Sequence, residues 1–334
     1  MKSKGWERWA AILTLMPSVI LIAVFVYGFI SWTVFVSFTK WDSGAPDYTF
    51  VGLANYQRLF SGTSIESQRF FIDLRNLIGF AMLFLATNIV AGFGLAILID
   101  SRIRGENFFR SVYLLPYSIS FIVAGVVWRW LLTPGTPELG STGVNKLLEY
   151  VGLGFIKPRW FIDPTVLYIH PDSDLGIFHH QVGLGFLTNP IWGLPVGTFS
   201  ILFAATWLLS GNVMALYLAG IRAIPPDLRE AAVVDGANLW QVIRYIYIPV
   251  LTPVTLSVAF ILINVSIRFY DLTVAMTGKG AGFSTDTLAY NMFETTFRSA
   301  RFAQGAALAV LMLILVSAVV IPYLRYSLRS ETSI

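Results

Sequence analysis

Six long apolar blocks constrain this chain more than any other feature of its sequence. A bilayer core of about 30 Å requires about 20 apolar residues in an α-helix. None of the blocks shows the alternation of a strand, and a helix satisfies its own backbone hydrogen bonds in lipid. The pattern predicts an all-α integral membrane protein with about six transmembrane helices. The predicted spans are residues 10–38, 74–99, 111–133, 197–220, 247–268 and 304–324.

Composition supports a membrane protein and argues against a nucleic-acid-binding one. Of the 334 residues, 56% are hydrophobic and 13% are charged, whereas soluble domains carry roughly 25% charged residues. The net charge is +4, but the basic residues stand singly at the ends of apolar blocks and form no stripe that could follow a phosphate backbone. The chain has no cysteine, which excludes disulfides and thiolate chemistry.

The distribution of Lys and Arg predicts the orientation of the spans. Short loops with a high density of basic residues are typically cytoplasmic, and here they are 1–9, 100–110, 221–246 and 325–334. We therefore expect both termini in the cytoplasm of a prokaryotic cell. The first block is too long for a signal peptide and is interpreted as a retained span. The remaining loops, expected outside, are 39–73, 134–196 and 269–303.

The segment 221–249, between the fourth and fifth spans, is the most informative loop. Pro225–Pro226 suits the first turn of a helix, and Asp227 complements the helix dipole there. Gly236 can adopt the left-handed conformation that ends a helix, and Asn238 can cap a second one. The pattern predicts a helical hairpin that is too polar to cross a membrane. Its short first helix suits a groove on another protein.

The spacing inside this loop resembles the EAA loop of binding-protein-dependent ABC importer permeases. That pattern is E-A-A, three residues, G, nine residues and I-x-L-P, and the chain has Glu230-Ala231-Ala232, Gly236 and Ile246-Tyr247-Ile248-Pro249 at these spacings. Ile248 replaces the usual leucine. Other stretches are similar to carbohydrate-type members, above all the first permease subunit of the maltose and glycerol-phosphate systems. They are Phe50–Tyr56, Gly105–Arg110, Leu115-Pro116 and Phe269–Leu272.

The resemblance departs from the family pattern in two further places. Where the family usually has Thr-Gly-Gly-Gly-Pro, the chain reads Thr277-Gly278-Lys279-Gly280-Ala281. The loop 134–196 is also longer than usual. As a whole, the resemblance implies the type I ABC importer permease fold in a single transmembrane domain, with a cytoplasmic coupling helix at about 227–235.

The resemblance also implies a division of labour between several subunits. A solute-binding protein outside the membrane would deliver a sugar or oligosaccharide, or glycerol phosphate. This chain and a second permease would form the path. Two ATPase subunits would hold ATP and Mg²⁺, so this chain would bind no cofactor and would not itself be an enzyme. The residues implied to couple it to an ATPase are Asp227, Arg229, Glu230, Ala231, Ala232, Asp235 and Gly236.

The residues themselves leave another interpretation of the hairpin open. Helical hairpins are common in bundles, and Glu230 and Gly236 would then be simple cap and turn residues. The chain contains no G-x-x-x-x-G-K-[ST] pattern, so we expect it not to hydrolyse ATP by itself.

Polar and aromatic side chains in the fourth and fifth spans are the candidates for the solute path. The resemblance to maltose-type permeases places sugar contacts at Leu262, Ser266 and Phe269, of which only Ser266 has a hydrogen-bonding side chain. Packing or hydrogen bonding between helices would explain the same residues equally well. The full set of candidates is Asn212, Leu262, Asn264, Ser266, Phe269 and Tyr270.

Several ionisable residues allow two interpretations each. Arg268 and Asp271 stand three residues apart at the end of the fifth span, either as functional groups of the path or as an ion pair on one helix face. His170, His179 and His180 lie in the loop 134–196. No metal-ligand spacing accompanies them, so we expect solvent-exposed histidines and no metal site.

Two other functional classes would also be membrane proteins of this size. A secondary transporter typically has ionisable residues near mid-bilayer and two pseudo-symmetric halves. A membrane-embedded enzyme or assembly factor would be indicated by clusters of His, Glu or Asp within the spans. The sequence shows neither feature, and both classes remain the alternatives.

Overall fold

The computed structural model describes residues 4–101, 103–136, 138, 140–154, 160 and 195–331. Regular structure in these residues is helical, apart from two isolated bridges. His170, His179 and His180 lie outside the described residues. The helices are α1 (Lys4–Ile22), α2 (Phe29–Ser37), α3 (Ala54–Phe60), α4 (Ile65–Asp100), α5 (Glu106–Leu114), α6 (Phe121–Leu131), α7 (Gly143–Tyr150), α8 (Val196–Arg222), α9 (Pro226–Val234), α10 (Leu239–Val242), α11 (Ile248–Val250), α12 (Thr252–Ile267), α13 (Asp271–Met276), α14 (Leu288–Phe293) and α15 (Phe302–Glu331).

Four helical segments in the described part of the chain are long and apolar enough to cross a membrane by themselves. The first joins α1 to α2 through a π-helical turn, Ala23–Gly28. The second, α4, begins at Ile65. The sequence predicted a start at residue 74, because the first turns of the helix are polar and do not resemble a membrane span. The four segments are Ile12–Ser37, Ile65–Asp100, Val196–Arg222 and Phe302–Arg325.

Two sharply bent helix pairs are each, taken together, long and apolar enough to count as one further span. Glu106–Ser118 meets Phe121–Leu131 at 99°, and Leu239–Val250 meets Thr252–Ile267 at 68°. Prolines flank the second bend, at positions 249 and 253, and proline removes a backbone donor and opens a helix. With each bent pair counted as one span, the described chain has six, which confirms the predicted all-α membrane protein of about six spans.

Internal packing divides the chain into two units, which the sequence does not reveal. One unit contains Met1–Gln68 with Asn291–Ile314, and the other contains Arg69–Tyr290 with Leu315–Ile334. In the first unit, the buried Asn55 side chain donates to the carbonyls of Ser37 and Thr39, both at 2.9 Å. These two hydrogen bonds hold in place the segment that follows α2.

The apolar core of the second unit is built around α8. Leu208, Met214 and Tyr217 of this helix are completely or almost completely buried. Gly211 faces the backbone carbonyl of Tyr113, and a Cβ at this position would clash with that oxygen. Small residues allow such close approach between membrane helices. As a result, α5 runs close beside the helix that ends at Arg222.

Candidate functional site

The segment after α8 folds into the predicted helical hairpin. Pro225 is extended (φ −54°, ψ 131°), and α9 begins at Pro226. The helix ends where Gly236 adopts φ +78°. The amide of Gly236 donates to the carbonyl of Val233 (3.0 Å), and that of Ala237 donates to the carbonyl of Ala232 (2.9 Å). These two bonds are those of a Schellman motif, so the predicted helix start and left-handed stop are confirmed.

The second helix of the hairpin is capped by Asn238, as predicted. The Asn238 side chain accepts from the Gln241 amide at 3.0 Å, and the Gln241 side chain accepts from the Asn238 amide at 2.7 Å. This reciprocal pair is a capping box. A π-helical turn, Ile243–Tyr247, then leads into α11.

Helix α9 has one exposed face and one face that packs on the rest of the chain. Asp227, Glu230, Ala231 and Val234 follow helical spacing and are all exposed, with Val234 86% exposed. Ala232, on the opposite side, packs against the apolar core. Most of the predicted coupling residues, including the exposed Asp235 and Gly236, are therefore accessible to a partner.

Arg229, another predicted coupling residue, points away from this exposed face and joins an ion cluster. Its Nη2 lies 2.9 Å from Oδ2 of Asp100. Arg222 Nε lies 3.9 Å from Oδ1 of the same carboxylate, and Arg222 Nη2 lies 2.6 Å from Oε1 of Glu106. The four side chains, Glu106, Arg222, Asp100 and Arg229, connect the ends of α4, α5 and α8 to α9. We call this set the ion cluster.

The surroundings of Asp100 explain why two guanidinium groups converge on it. It is the last residue of α4, a helix of 36 residues, and a carboxylate at a helix C-terminus is disfavoured by the helix dipole. The Arg229 guanidinium also lies over the ring of Tyr247, 5.5 Å from its centroid. Sequence reasoning missed Asp100 and Glu106. An acidic residue at the C-terminal end of an apolar block was the available signal.

Three of the predicted path residues come together on the buried side of α12 and the turn after it. Leu262, Ser266 and Phe269 are buried, and Ser266 Oγ donates to the carbonyl of Leu262 at 2.8 Å. The Phe269 ring lies 5.3 Å from that of Phe80 and 5.6 Å from that of Phe121. Ser266 and Phe269 line a cavity of about 20 Å³.

The other predicted path residues do not line this cavity. Asn264 accepts a hydrogen bond from the exposed Arg268, Tyr270 stacks on Tyr290 with ring centroids 6.2 Å apart, and Asn212 is half-buried on α8. No ion pair joins Arg268 to Asp271 within the described chain. The expectation of an ion pair on one helix face is therefore wrong, because α12 ends at Ile267 and Asp271 starts a new helix.

Residues 277–287, which we call the cap, contribute Thr285, Asp286 and Thr287 to the lining of this cavity. The Asn76 side-chain amide donates to the carbonyls of Phe283 (3.1 Å), Ser284 (3.3 Å) and Asp286 (3.1 Å). Arg69 Nε lies 2.6 Å from Oδ2 of the completely buried Asp286. The cap is thus bound to α4 at the end opposite the ion cluster.

Comparison with known proteins relates most of the chain to one group. The family model described as "Binding-protein-dependent transport system inner membrane component" matches residues 88–329. A probable ABC transporter permease protein of Pyrococcus horikoshii is 37% identical over 321 residues, covering 96% of both chains. The xylose/arabinose import permease protein XacH of Haloferax volcanii is 30% identical over 93% of this chain and 85% of its own.

Among solved structures, the fold matches a chain of a bacterial alginate ABC transporter crystallised with a periplasmic protein that holds an alginate pentasaccharide. The TM-score is 0.71 at 21% identity, and the match covers 98% of this chain and 96% of the other. At this identity the match establishes the fold alone.

Proposed function

We propose that α9 is the helix through which an ATPase subunit drives transport by this permease. The premise is that this chain belongs to the family of binding-protein-dependent transport system inner membrane components. The observation that carries the proposal is the exposed face of α9, formed by Asp227, Glu230, Ala231 and Val234. It lies on a polar hairpin between two spans and follows the spacing of the EAA loop.

The chemistry of this face suits a groove on a protein. Val233 and Val234 are exposed apolar side chains on a helix of only nine residues, and carboxylates flank them. A short amphipathic helix of this kind gains stability when its apolar side chains enter a groove. The left-handed Gly236 has no heavy atom within 4 Å of the position that a Cβ would occupy, which leaves room for a partner surface.

The remaining subunits follow from this role. Two ATPase subunits would hold ATP and Mg²⁺, because this chain has no phosphate-binding loop. A second permease would complete the path, and the family description supports a separate solute-binding protein. The density of Lys and Arg in the short loops supports a cytoplasmic position for the hairpin and both termini in a prokaryotic inner membrane.

We assign a sugar or oligosaccharide as the cargo. The import of xylose and arabinose by the relative XacH supports this class. Phe269 offers a ring on which a sugar could stack, and Ser266 offers a hydroxyl. Both are buried beneath the cap in this conformation, so transport requires a rearrangement that opens the cavity. Alternating access driven by closure of the ATPase pair would supply it.

Replacement of Gly236 tests the coupling role. We expect Gly236→Lys to stay in the membrane but to lose solute-stimulated ATP turnover in the reconstituted importer, because the Lys side chain would occupy the docking space. Gly152→Lys is the matched control, since Gly152 has φ +80° and equally open surroundings. The Gly152→Lys variant should retain solute-stimulated ATP turnover. Normal stimulation in Gly236→Lys would count against docking at α9.

Neither alternative class is favoured by the family assignment. A secondary transporter would still accumulate solute from an ion gradient in vesicles without ATP. Uptake of that kind by this chain alone would overturn the importer proposal, whereas a strict requirement for ATP and the ATPase subunits supports it.

A further inference from the structure

We propose that Asp100 and Glu106 are positioning residues that hold α9 to the membrane spans through Arg229 and Arg222. The inference rests on the proposed role of α9 and adds how its movement reaches the spans. Neither carboxylate belongs to the EAA loop.

Helix α9 needs contacts with the spans because the chain joins it to them only through short turns. It has nine residues, too few to be stable as an isolated helix. Residues 223–225 precede it, and the left-handed Gly236 follows it. Apart from these turns, Ala232 packs against the apolar core, but it is a single small side chain. With these links alone, a partner that moved α9 would mainly bend the turns and shift the spans little.

The ion cluster supplies contacts that do not pass through these turns. Asp100 belongs to α4, and its side chain, only 10% exposed, receives Arg229 of α9 at 2.9 Å. Arg222, at the end of α8, joins Asp100 to Glu106 of α5. A displacement of α9 is therefore transmitted to three spans at once. The planar guanidinium suits this role because it binds carboxylates in a fixed geometry.

Arg104 provides a matched control for general charge effects. It lies in the same loop, between Asp100 and Glu106, and is exposed. Within the described chain it makes no ion pair or side-chain hydrogen bond. A charge reversal there changes the local potential without removing a contact of the ion cluster.

The test uses the complete importer, reconstituted with its ATPase subunits and solute-binding protein, and measures solute taken up per ATP hydrolysed. We expect Arg229→Asp and Asp100→Arg to lower this ratio about tenfold, the size of a typical coupling between sites, while ATP hydrolysis continues. The double variant with exchanged charges should recover part of the ratio, because the exchanged pair attracts while Arg222, 3.9 Å from the carboxylate of Asp100 in the native chain, repels the new positive charge. Arg104→Asp should leave it unchanged. Arg229→Lys, a milder change, should lower the ratio less than Arg229→Asp.

Cross-linking separates failure of this inference from failure of the proposed function. The chain has no cysteine, so Val234→Cys introduces a single thiol on the exposed face of α9. If that thiol does not cross-link to an ATPase subunit, the role of α9 is wrong. If it does cross-link, but both Arg229 variants keep the wild-type ratio, or an assembled double variant recovers no part of it, only the positioning role is overturned. Should Arg229→Asp fail to assemble, Arg229→Lys decides by the same ratio.

Discussion

Helix α4 carries an ion pair at each end, and the two pairs differ in their contact with water. At the cap end, Arg69 and Asp286 have side chains that are 13% and 0% exposed. At the hairpin end, Arg229 and Asp100 are 41% and 10% exposed. Removal of one partner from a buried pair leaves an uncompensated charge and is strongly destabilising. A pair with one solvated partner contributes little net stability.

The surroundings of the two pairs reinforce this difference. Asp286 is held in a segment that also receives three hydrogen bonds from Asn76. Asp100 interacts with two arginines, so loss of one leaves the other. The cap end is therefore the more firmly held of the two ends of α4. The hairpin end can transmit movement without much change in stability.

The largest effect is expected from Asp286→Ala. The substitution removes the buried carboxylate that lies 2.6 Å from Arg69 Nε, and the broken buried pair should lower the free energy of unfolding by about 3–5 kcal/mol. Thermal unfolding of the detergent-solubilised chain would measure it. Glu66→Ala is the control, because Glu66 forms a more exposed pair with Arg301, and it should cost about 1 kcal/mol or less. Equal losses in the two variants would remove the distinction between buried and exposed pairs.

A smaller loss is expected from Asn76→Ala. The buried carbonyls of Ser284 and Asp286 would lose a donor, and an unsatisfied buried polar group costs about 1–3 kcal/mol. The same unfolding measurement applies. Asn264→Ala, in which the lost bond is to the exposed Arg268, should cost clearly less. A larger loss in Asn264→Ala would show that the cap is not held by Asn76.

Arg229→Leu should lower the free energy of unfolding by only about 0.5–1 kcal/mol, because Arg222 still faces Asp100. Its effect on stability should also shrink at high salt, since partly exposed pairs are screened and buried ones much less so. Unfolding at about 0.05 and 1 M salt would compare it with Asp286→Ala. A large, salt-independent loss of stability in Arg229→Leu would show that the ion pair at the hairpin end contributes as much to stability as the pair at the cap end.

The smallest effect on stability is expected from Ser266→Ala. The hydroxyl bonds to a carbonyl of its own helix, and such a bond contributes little to helix stability, so the loss should be below about 0.5 kcal/mol. The KM for solute uptake should nevertheless rise if Ser266 contacts the cargo when the cavity opens. An unchanged KM would remove Ser266 from the path.

Features that depend on neighbours along the chain follow directly from the amino-acid order. Apolar blocks of span length predicted the membrane helices, because lipid requires each segment to satisfy its own backbone. Pro226, Gly236 and Asn238 predicted the start, stop and cap of the hairpin helices, because these residues act through local backbone geometry.

Side chains that meet across long stretches of sequence are brought together by the packing of the helices. Arg69 and Asp286 are separated by 217 residues, and Arg222 and Glu106 by 116. Hydropathy carries no information on such pairings. It also could not show that Arg229 turns inward while its neighbour Glu230 stays exposed. The direction of each side chain depends on how neighbouring helices pack, and at Asp100 that packing places two arginines around one helix end.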